Sequence, residues 1–261
     1  MDEIILGNCL IEMGNMEDCC IDLTVTSPPY DNLRDYLRHS EFDFQGIARE
    51  LYRITKIGGV VVWVVADATI NGSETGTSFR QALYFMEVGF NLHDTMIYHR
   101  ERLPLTHNRY EQHFEYMFIL SKGTPNTFNP ITMKATYAGQ SLKGSTVRHT
   151  GKETQPIHKP NTAVKQMKIM GNVWKYTVGF NHNTKDNYAY KHPATFPDKL
   201  ASDHILSWSN PGDLILDPFA GSGTTCKMAK LHNRHFIGIE INPEYIEICN
   251  QRLSQEVFDF G

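Results

Sequence analysis

The run from residue 214 to residue 240 constrains the fold more than any other part of the chain. Leu214-Ile215-Leu216-Asp217 reads as a strand. Asp217-Pro218-Phe219-Ala220-Gly221-Ser222-Gly223-Thr224-Thr225 reads as a turn opening a helix that extends to Leu231, and 236–240 reads as a second strand. Two strands joined through a helix belong to an α/β sheet. Gly221 and Gly223 permit a tight turn and close approach of backbone to a ligand. Glu240 follows Asp217 by 23 residues, where a doubly wound fold places an acid that accepts hydrogen bonds from ribose hydroxyls. The loop is not the GxGxxG of a pyrophosphate binder, and glycines serving only helix–strand packing are the plainer alternative.

Strand and helix alternate through the first half as well. Residues 22–26 form a short strand pattern. Phe44, Ile47, Ala48, Leu51 and Ile54 recur at helical spacing up to Gly58-Gly59, and 60–66 is an apolar run of strand length. Phe79, Ala82, Leu83 and Met86 mark another helix, stopped near Gly89. Residues 95–98 and 114–120 read as further strands. Later, Leu200, Ala201, His204, Ile205 and Trp208 line one helical face, and Asn242-Pro243 opens a last helix with Asn as N-cap and Pro at its first position.

Between 121 and 175 the periodicity disappears, apart from a short strand pattern at 172–176. The stretch is too long for an ordinary loop and is read as functional or as a small lobe. The expected organisation is therefore residues 1–120 as one half of a single α/β domain, 121–175 as an insertion, and 176–261 as the other half. Charge follows the same division. Residues 122–192 hold 11 Lys and Arg against two acids, while the rest of the chain holds 14 against 27. A basic surface on an acidic body suits a polyanionic partner; a solvated basic loop is the bland alternative.

Ser27-Pro28-Pro29-Tyr30 directly follows a strand, so it should stand at the carboxyl edge of the sheet, where α/β folds bind ligands. The Ser27 hydroxyl and the Pro28 carbonyl are two acceptors. The two prolines fix φ and remove competing N–H donors, and Tyr30 offers a ring face for stacking. Alone, the tetrapeptide would be read as a Pro-Pro turn.

Taken together the two motifs resemble the DNA amino-methyltransferases of the restriction-modification kind, whose hallmarks are a (S/D/N)PP(Y/F/W) tetrapeptide and an FxGxG loop. The order, catalytic motif first, then a basic variable stretch, then the cofactor loop, resembles the β subgroup. The resemblance covers nearly the whole chain outside 121–170. It implies a doubly wound, Rossmann-like α/β methyltransferase fold, circularly permuted, with an inserted target-recognition segment. It implies S-adenosylmethionine as cofactor and double-stranded DNA as partner. Ser27, Pro28, Pro29 and Tyr30 would then be catalytic. Asn8, Cys9, Phe196, Pro197, Asp217, Phe219, Ala220, Gly221, Ser222, Gly223, Thr224, Glu240, Ile241 and Asn242 would bind the cofactor. Within that set, the His192-to-Pro197 segment helps form the methionine pocket, and Gly7-Asn8-Cys9 contacts the adenine. Asn8 stands where the family usually has Asp. Lys134, Lys143, Arg148, Lys152, Lys159, Lys165 and Lys168 are the expected DNA contacts.

An exocyclic amine of a base is a poor nucleophile because its lone pair is delocalised into the ring. Acceptors that hold its hydrogens favour a pyramidal nitrogen. SPPY is commoner among cytosine-N4 enzymes and DPPY among adenine-N6 enzymes, so the expected target is the N4 of cytosine in a flipped base, with adenine N6 as the alternative. Methylation of RNA or of a protein glutamine is disfavoured by motif order. A non-catalytic DNA-binding protein is disfavoured by the intact motifs, and a nucleotide-dependent oxidoreductase leaves SPPY unexplained. The five cysteines lack CxxC spacing and the 12 histidines lack an HxxxH pair, so no metal is expected. Without a basic leader or an apolar run of about 18 residues, the expectation is a cytoplasmic protein away from membranes. A homodimer is an open expectation, and any cognate restriction endonuclease would be a separate protein.

Overall fold

The computed structural model describes residues 2–29, 42–100, 110–141, 147–150, 153–156, 163–179, 182–192 and 197–254. It falls into two compact units, one of residues 1–129 with 172–261 and one of 130–171.

In chain order the larger unit contains β1 (Glu3–Leu6), α1 (Cys9–Gly14), β2 (Ile21–Thr26), α2 (Phe44–Ile54), β3 (Thr55–Val65), a small hairpin β4 (Thr69–Ile70) and β5 (Ser73–Glu74), α3 (Thr77–Val88), β6 (Asn91–Arg100) and β7 (Phe114–Ser121). The smaller unit contributes β8 (Thr132–Lys134), β9 (Val147–Thr150), β10 (Glu153–Pro156) and β11 (Met167–Ile169). The chain then returns through β12 (Val173–Tyr176), a 3-10 turn (Asn187–Lys191), α4 (Asp198–Trp208), β13 (Leu214–Asp217), α5 (Thr224–Leu231), β14 (His235–Glu240) and α6 (Pro243–Leu253).

Eight strands form one sheet in the order β1-β14-β13-β2-β3-β7-β6-β12. β1, β14, β13, β2 and β3 run parallel, and β7 pairs antiparallel with both β3 and β6. β3 shows why the sheet is covered on both faces. Val61, Trp63 and Val65 enter one apolar cluster with Met13, Leu51 and Phe85, which come from α1, α2 and α3. Val60, Val62 and Val64 alternate to the other face and are equally buried, where α4, α5 and α6 lie in sequence against one another. The one polar atom of the Trp63 ring is satisfied by Gln81 of α3, with Nε1 donating to Oε1 at 2.9 Å.

Three details depart from the sequence pattern. The face that α3 buries is rotated from its apolar stripe: Ser78, Gln81, Ala82 and Phe85 are buried, while Phe79, Leu83 and Met86 are about half exposed. Two polar residues found partners inside, Gln81 on Trp63 and Ser78 on Asp67, and no apolar count anticipates that. β12 belongs to the main sheet beside β6, so the inserted unit spans 130–171 rather than 121–175. The N-terminal β1, grouped by sequence with residues 1–120, pairs with β14 at the opposite edge. That placement joins the start of the chain to the half formed by its end.

The smaller unit is a pair of nested antiparallel ribbons, β8 with β11 and β9 with β10. Between them Ser141 bridges Ala163, and Ala135 and Gly139 donate backbone N–H groups to Gln166 and Val164. Every residue of β8 and β11 is exposed.

Candidate active site

The site lies where the sheet changes winding direction. β13 continues into α5 on one face and β2 leads to α2 on the other, yet β2 and β13 are parallel neighbours, with Leu23 opposite Ile215 and Thr24 opposite Leu216. Loops leaving adjacent strands toward opposite faces open a crevice at their carboxyl ends. Ser27, Pro28 and Pro29 leave β2 into that crevice, and Pro218 to Gly223 leave β13.

A buried hydrogen bond joins the two halves: the Thr26 hydroxyl donates to Asp217 Oδ1 at 2.6 Å. The same carboxylate oxygen accepts the backbone N–H of Phe219 at 3.1 Å. Burial pushes the Asp217 carboxyl up to about 6, against the lowering effect of its bonds from Thr26, Phe219 and Thr225. Asp217 thus acts as a structural acceptor that fixes the base of both loops.

The cofactor loop is held by backbone contacts. Ala220 N–H donates to the Ile239 carbonyl. Gly221 and Gly223 adopt φ of +52° and +75°, a region that penalises any side chain. A Cβ on Gly221 would stand 3.0 Å from His192 Nε2, and the His192 ring in turn packs edge-on against Tyr245 at 4.3 Å. Phe219 packs against Trp63, which ties the loop to the core.

Glu240 closes β14 beside this loop. One carboxylate oxygen accepts the Gly221 N–H and the other the Asn242 N–H, both at 2.8 Å. Burial raises its pKa, opposed by the backbone bonds from Asn242, Gly221 and Ile241. An ionised carboxylate has about four acceptor positions, so its remaining lone pairs can receive hydroxyl groups. Across the β14–β1 pair, Gly7 N–H donates to the Glu240 carbonyl, which brings Asn8 and Cys9 to the same edge. The Asn8 side-chain oxygen caps α1 by accepting from Leu10 N–H at 2.9 Å. Its amide NH2 is the group with donors to spare, and an Asp here would lack them. Asn242 caps α6 in the same way. Burial pushes the Cys9 thiol up to about 12, with Glu240 adding to the rise, so this thiol stays neutral.

The structure thus brings together Ser27, Pro28, Pro29, Asn8, Cys9, Asp217 to Thr224, and Glu240 to Asn242. Pro197 is buried at the start of α4. Tyr30, Phe196, Lys143, Lys152 and Lys159 lie outside the described residues, and Arg148 is placed only by the backbone of β9. Lys134, Lys165 and Lys168 are exposed on the smaller unit. Lys122, counted in the basic stretch, is spent elsewhere: its ammonium donates to the carbonyls of Tyr52, Arg53 and Thr55 at the end of α2.

Sequence reasoning missed Thr26, Asp186 and Arg252. Arg252 had a signal, since it shares a helical face with Ile248 and Cys249, all three buried. Glycine cradle, paired acid, capping asparagines and a turn unlike the phosphate-type GxGxxG together fit a nucleoside bearing a sulfonium amino-acid chain.

Comparison with known proteins agrees. A family model described as DNA methylase matches residues 21–251. The orphan methyltransferase M.BamHII of Bacillus amyloliquefaciens is 53% identical over 247 residues, 93% of this chain and 92% of that one. The PvuII DNA methyltransferase, cytosine-N4-specific, superposes with a TM-score of 0.74 at 20% identity, covering 98% of this chain and 87% of its own. A putative DNA modification methylase of Thermus thermophilus, solved with S-adenosyl-L-methionine, gives 0.64 at 21% identity, with coverage of 100% and 98%.

Proposed function

We propose that this chain, which belongs to the N6/N4 DNA methylase family, methylates the exocyclic N4 of cytosine in double-stranded DNA after turning the base out of the helix. The coarser activity, S-adenosylmethionine-dependent methyl transfer to DNA, is that of the family. The buried Thr26–Asp217 bond supports the activity, and Ser27 at the head of the tetrapeptide is what favours N4 of cytosine over N6 of adenine. The bond sets a serine-type SPP loop and the cofactor loop side by side on adjacent strands.

S-adenosylmethionine supplies an electrophilic methyl group on a sulfonium. In the proposed arrangement Glu240 accepts from the ribose hydroxyls, Asn8 and Cys9 border the adenine, and Phe219 to Thr224 form the wall along the amino-acid chain. Phe196 and Pro197 complete that wall, and Asp217, Ile241 and Asn242 hold its edges. The Ser27 hydroxyl and the Pro28 carbonyl accept the amino hydrogens of the base, which localises the nitrogen lone pair. Pro29 stiffens these acceptors and Tyr30 stacks on the base. The bound cofactor would give up its methyl group to the nitrogen and keep the carbon–sulfur electron pair, while Ser27 and Pro28 would hold the amino hydrogens until the surplus proton passes to solvent. Turning out the base costs a few kcal/mol, offset by stacking and these bonds.

DNA recognition falls to the inserted unit, residues 130–171. All seven expected contacts, Lys134, Lys143, Arg148, Lys152, Lys159, Lys165 and Lys168, lie within residues 130–171, which hold one acid, Glu153. A two-stranded ribbon such as β8–β11 matches the width of the DNA major groove. The name of the 53% identical relative, an orphan methyltransferase, favours an enzyme that works without a cognate endonuclease.

The test is incubation with unmethylated plasmid and S-adenosylmethionine, digestion to nucleosides, and mass spectrometry. N4-methylcytosine is the expected product. N6-methyladenine would overturn the base assignment, and no methylated nucleoside from cofactor-binding protein would overturn the activity.

A further inference from the structure

We infer that Arg252 is the positioning residue of the cofactor loop. This deepens the reading of residues 219–224 as the cofactor wall and rests on it. The Arg252 side chain is fully buried, and every nitrogen of its guanidinium is engaged. Nε donates to Asp186 Oδ2 at 2.8 Å. Nη1 donates to the Ser222 carbonyl at 2.9 Å, to the Ser222 hydroxyl at 3.2 Å and to the Thr224 hydroxyl at 2.9 Å. Nη2 donates to Asp198 Oδ1 at 2.7 Å and to the Thr184 hydroxyl at 3.3 Å.

Two sets of residues meet on this one fork. Ser222 and Thr224 belong to the cofactor loop and the first turn of α5. Thr184, Asp186 and Asp198 flank the 3-10 turn, His192 and Pro197. Lys227 of α5 reinforces the second set with a 2.6 Å bond to Asp186. Burial pushes the Asp186 carboxyl up, and Lys227 and Arg252 overcome that and hold it below the usual carboxylate range.

Packing alone does not call for this arrangement. A buried ion pair is commonly replaceable by apolar side chains of similar volume without loss of stability. What an apolar side chain cannot do is hold a carbonyl. The Ser222 carbonyl lies between two glycines in left-handed conformation, which have no side chains to pin them and the widest conformational freedom of any residue. Arg252 supplies the missing constraint at that peptide. Through Asp186 and Asp198 it sets the same loop against the segment whose His192 rests on Gly221. The loop is held in its binding shape before ligand arrives, so binding need not order it.

Lysine cannot replace this planar fork, having three donors at a single point. The test is calorimetric titration of S-adenosylmethionine into wild type, Arg252→Lys and Asp198→Asn, with steady-state methylation of DNA and a thermal melt for each. For Arg252→Lys the expected result is a Kd and KM for S-adenosylmethionine raised roughly 10- to 100-fold, the range for losing a partner that positions a binding group, with kcat at saturating cofactor within about threefold. Asp198→Asn should shift Kd the same way by a smaller factor. A folded Arg252→Lys protein with lowered Tm and unchanged Kd would overturn the inference, since that is the outcome of a merely structural role. If Arg252→Lys does not fold, an unchanged Kd in Asp198→Asn overturns it. Wild type that binds no S-adenosylmethionine would instead refute the reading of the loop itself.

Discussion

Asp217→Asn tests the join between the two halves of the site through its pH dependence. The folded carboxyl titrates at about 6, against an ordinary value of 3.8. Below about pH 4 the group is protonated in both states and its contribution is fully present. As pH rises toward 6, the unfolded chain releases a proton that the folded chain retains, and stability falls. Above about 6 the loss is complete. A rise of about two units, at 1.36 kcal/mol each, corresponds to about 3 kcal/mol. Asn keeps the acceptor oxygen for the Thr26 hydroxyl and the Phe219 N–H but has no proton to lose. Urea unfolding followed by circular dichroism between pH 4 and pH 8 measures both proteins. Subtracting one curve from the other cancels the titration of groups not coupled to Asp217; Glu240, whose charge helps raise Asp217, is followed in a parallel Glu240→Gln background. The wild type should lose about 3 kcal/mol relative to the variant across this window. Parallel curves would refute a buried, charged Asp217 and with it the account of why the two loops stay side by side.

Further tests address the chemistry and the DNA. Ser27→Ala should lower turnover by roughly 10²–10³, as for loss of one preorganised polar group, with cofactor affinity unchanged by calorimetry. Near-normal turnover would remove Ser27 from the mechanism. Gly221→Ala places a side chain at φ +52° and 3.0 Å from His192. Urea unfolding should show a loss of about 1–2 kcal/mol, together with weakened cofactor binding, and a variant equal to wild type in both would mean the loop shifts freely. Neutralising Lys134, Lys165 and Lys168 together should reduce the slope of log affinity against log salt by about 0.9 for each lysine that meets a phosphate. An unchanged slope would mean these lysines face solvent in the complex.

Much of this architecture was legible because its signals are local. The run 60–66 is apolar without alternation, as a strand covered on both faces must be. The α4 residues at spacing 200, 201, 204, 205 and 208 are all buried. The glycine turn and terminal acid of 217–240 fall within one strand–helix–strand unit. What escaped depends on distant partners. β1 is four residues long and gains its place only from β14. The α3 stripe of Phe79, Leu83 and Met86 marks the helix but not its buried face, because apolar spacing cannot register that Gln81 has an indole to bond. Arg252 falls on the buried face of Ile248 and Cys249, but its role follows only from Asp186 and Asp198, 66 and 54 residues earlier, which converge on it. Motif and pattern single out Ser27, Pro28 and the loop 219–224; Thr26, Asp186 and Arg252, which bond to the loops and their flanks, follow only from tertiary neighbours.

The Thr26–Asp217 bond spans 191 positions of the chain, and this has a consequence for synthesis in the cell. At roughly 5–20 residues per second, the SPP segment leaves the ribosome about 10–40 s before the strand it must lie beside exists. During that interval β2 has no neighbour on the β13 side, and neither the loop 218–223 nor Glu240 has yet been made. Modification of DNA therefore waits until β13 and β14 slot between β2 and β1. The step that completes the sheet is also the step that switches the enzyme on.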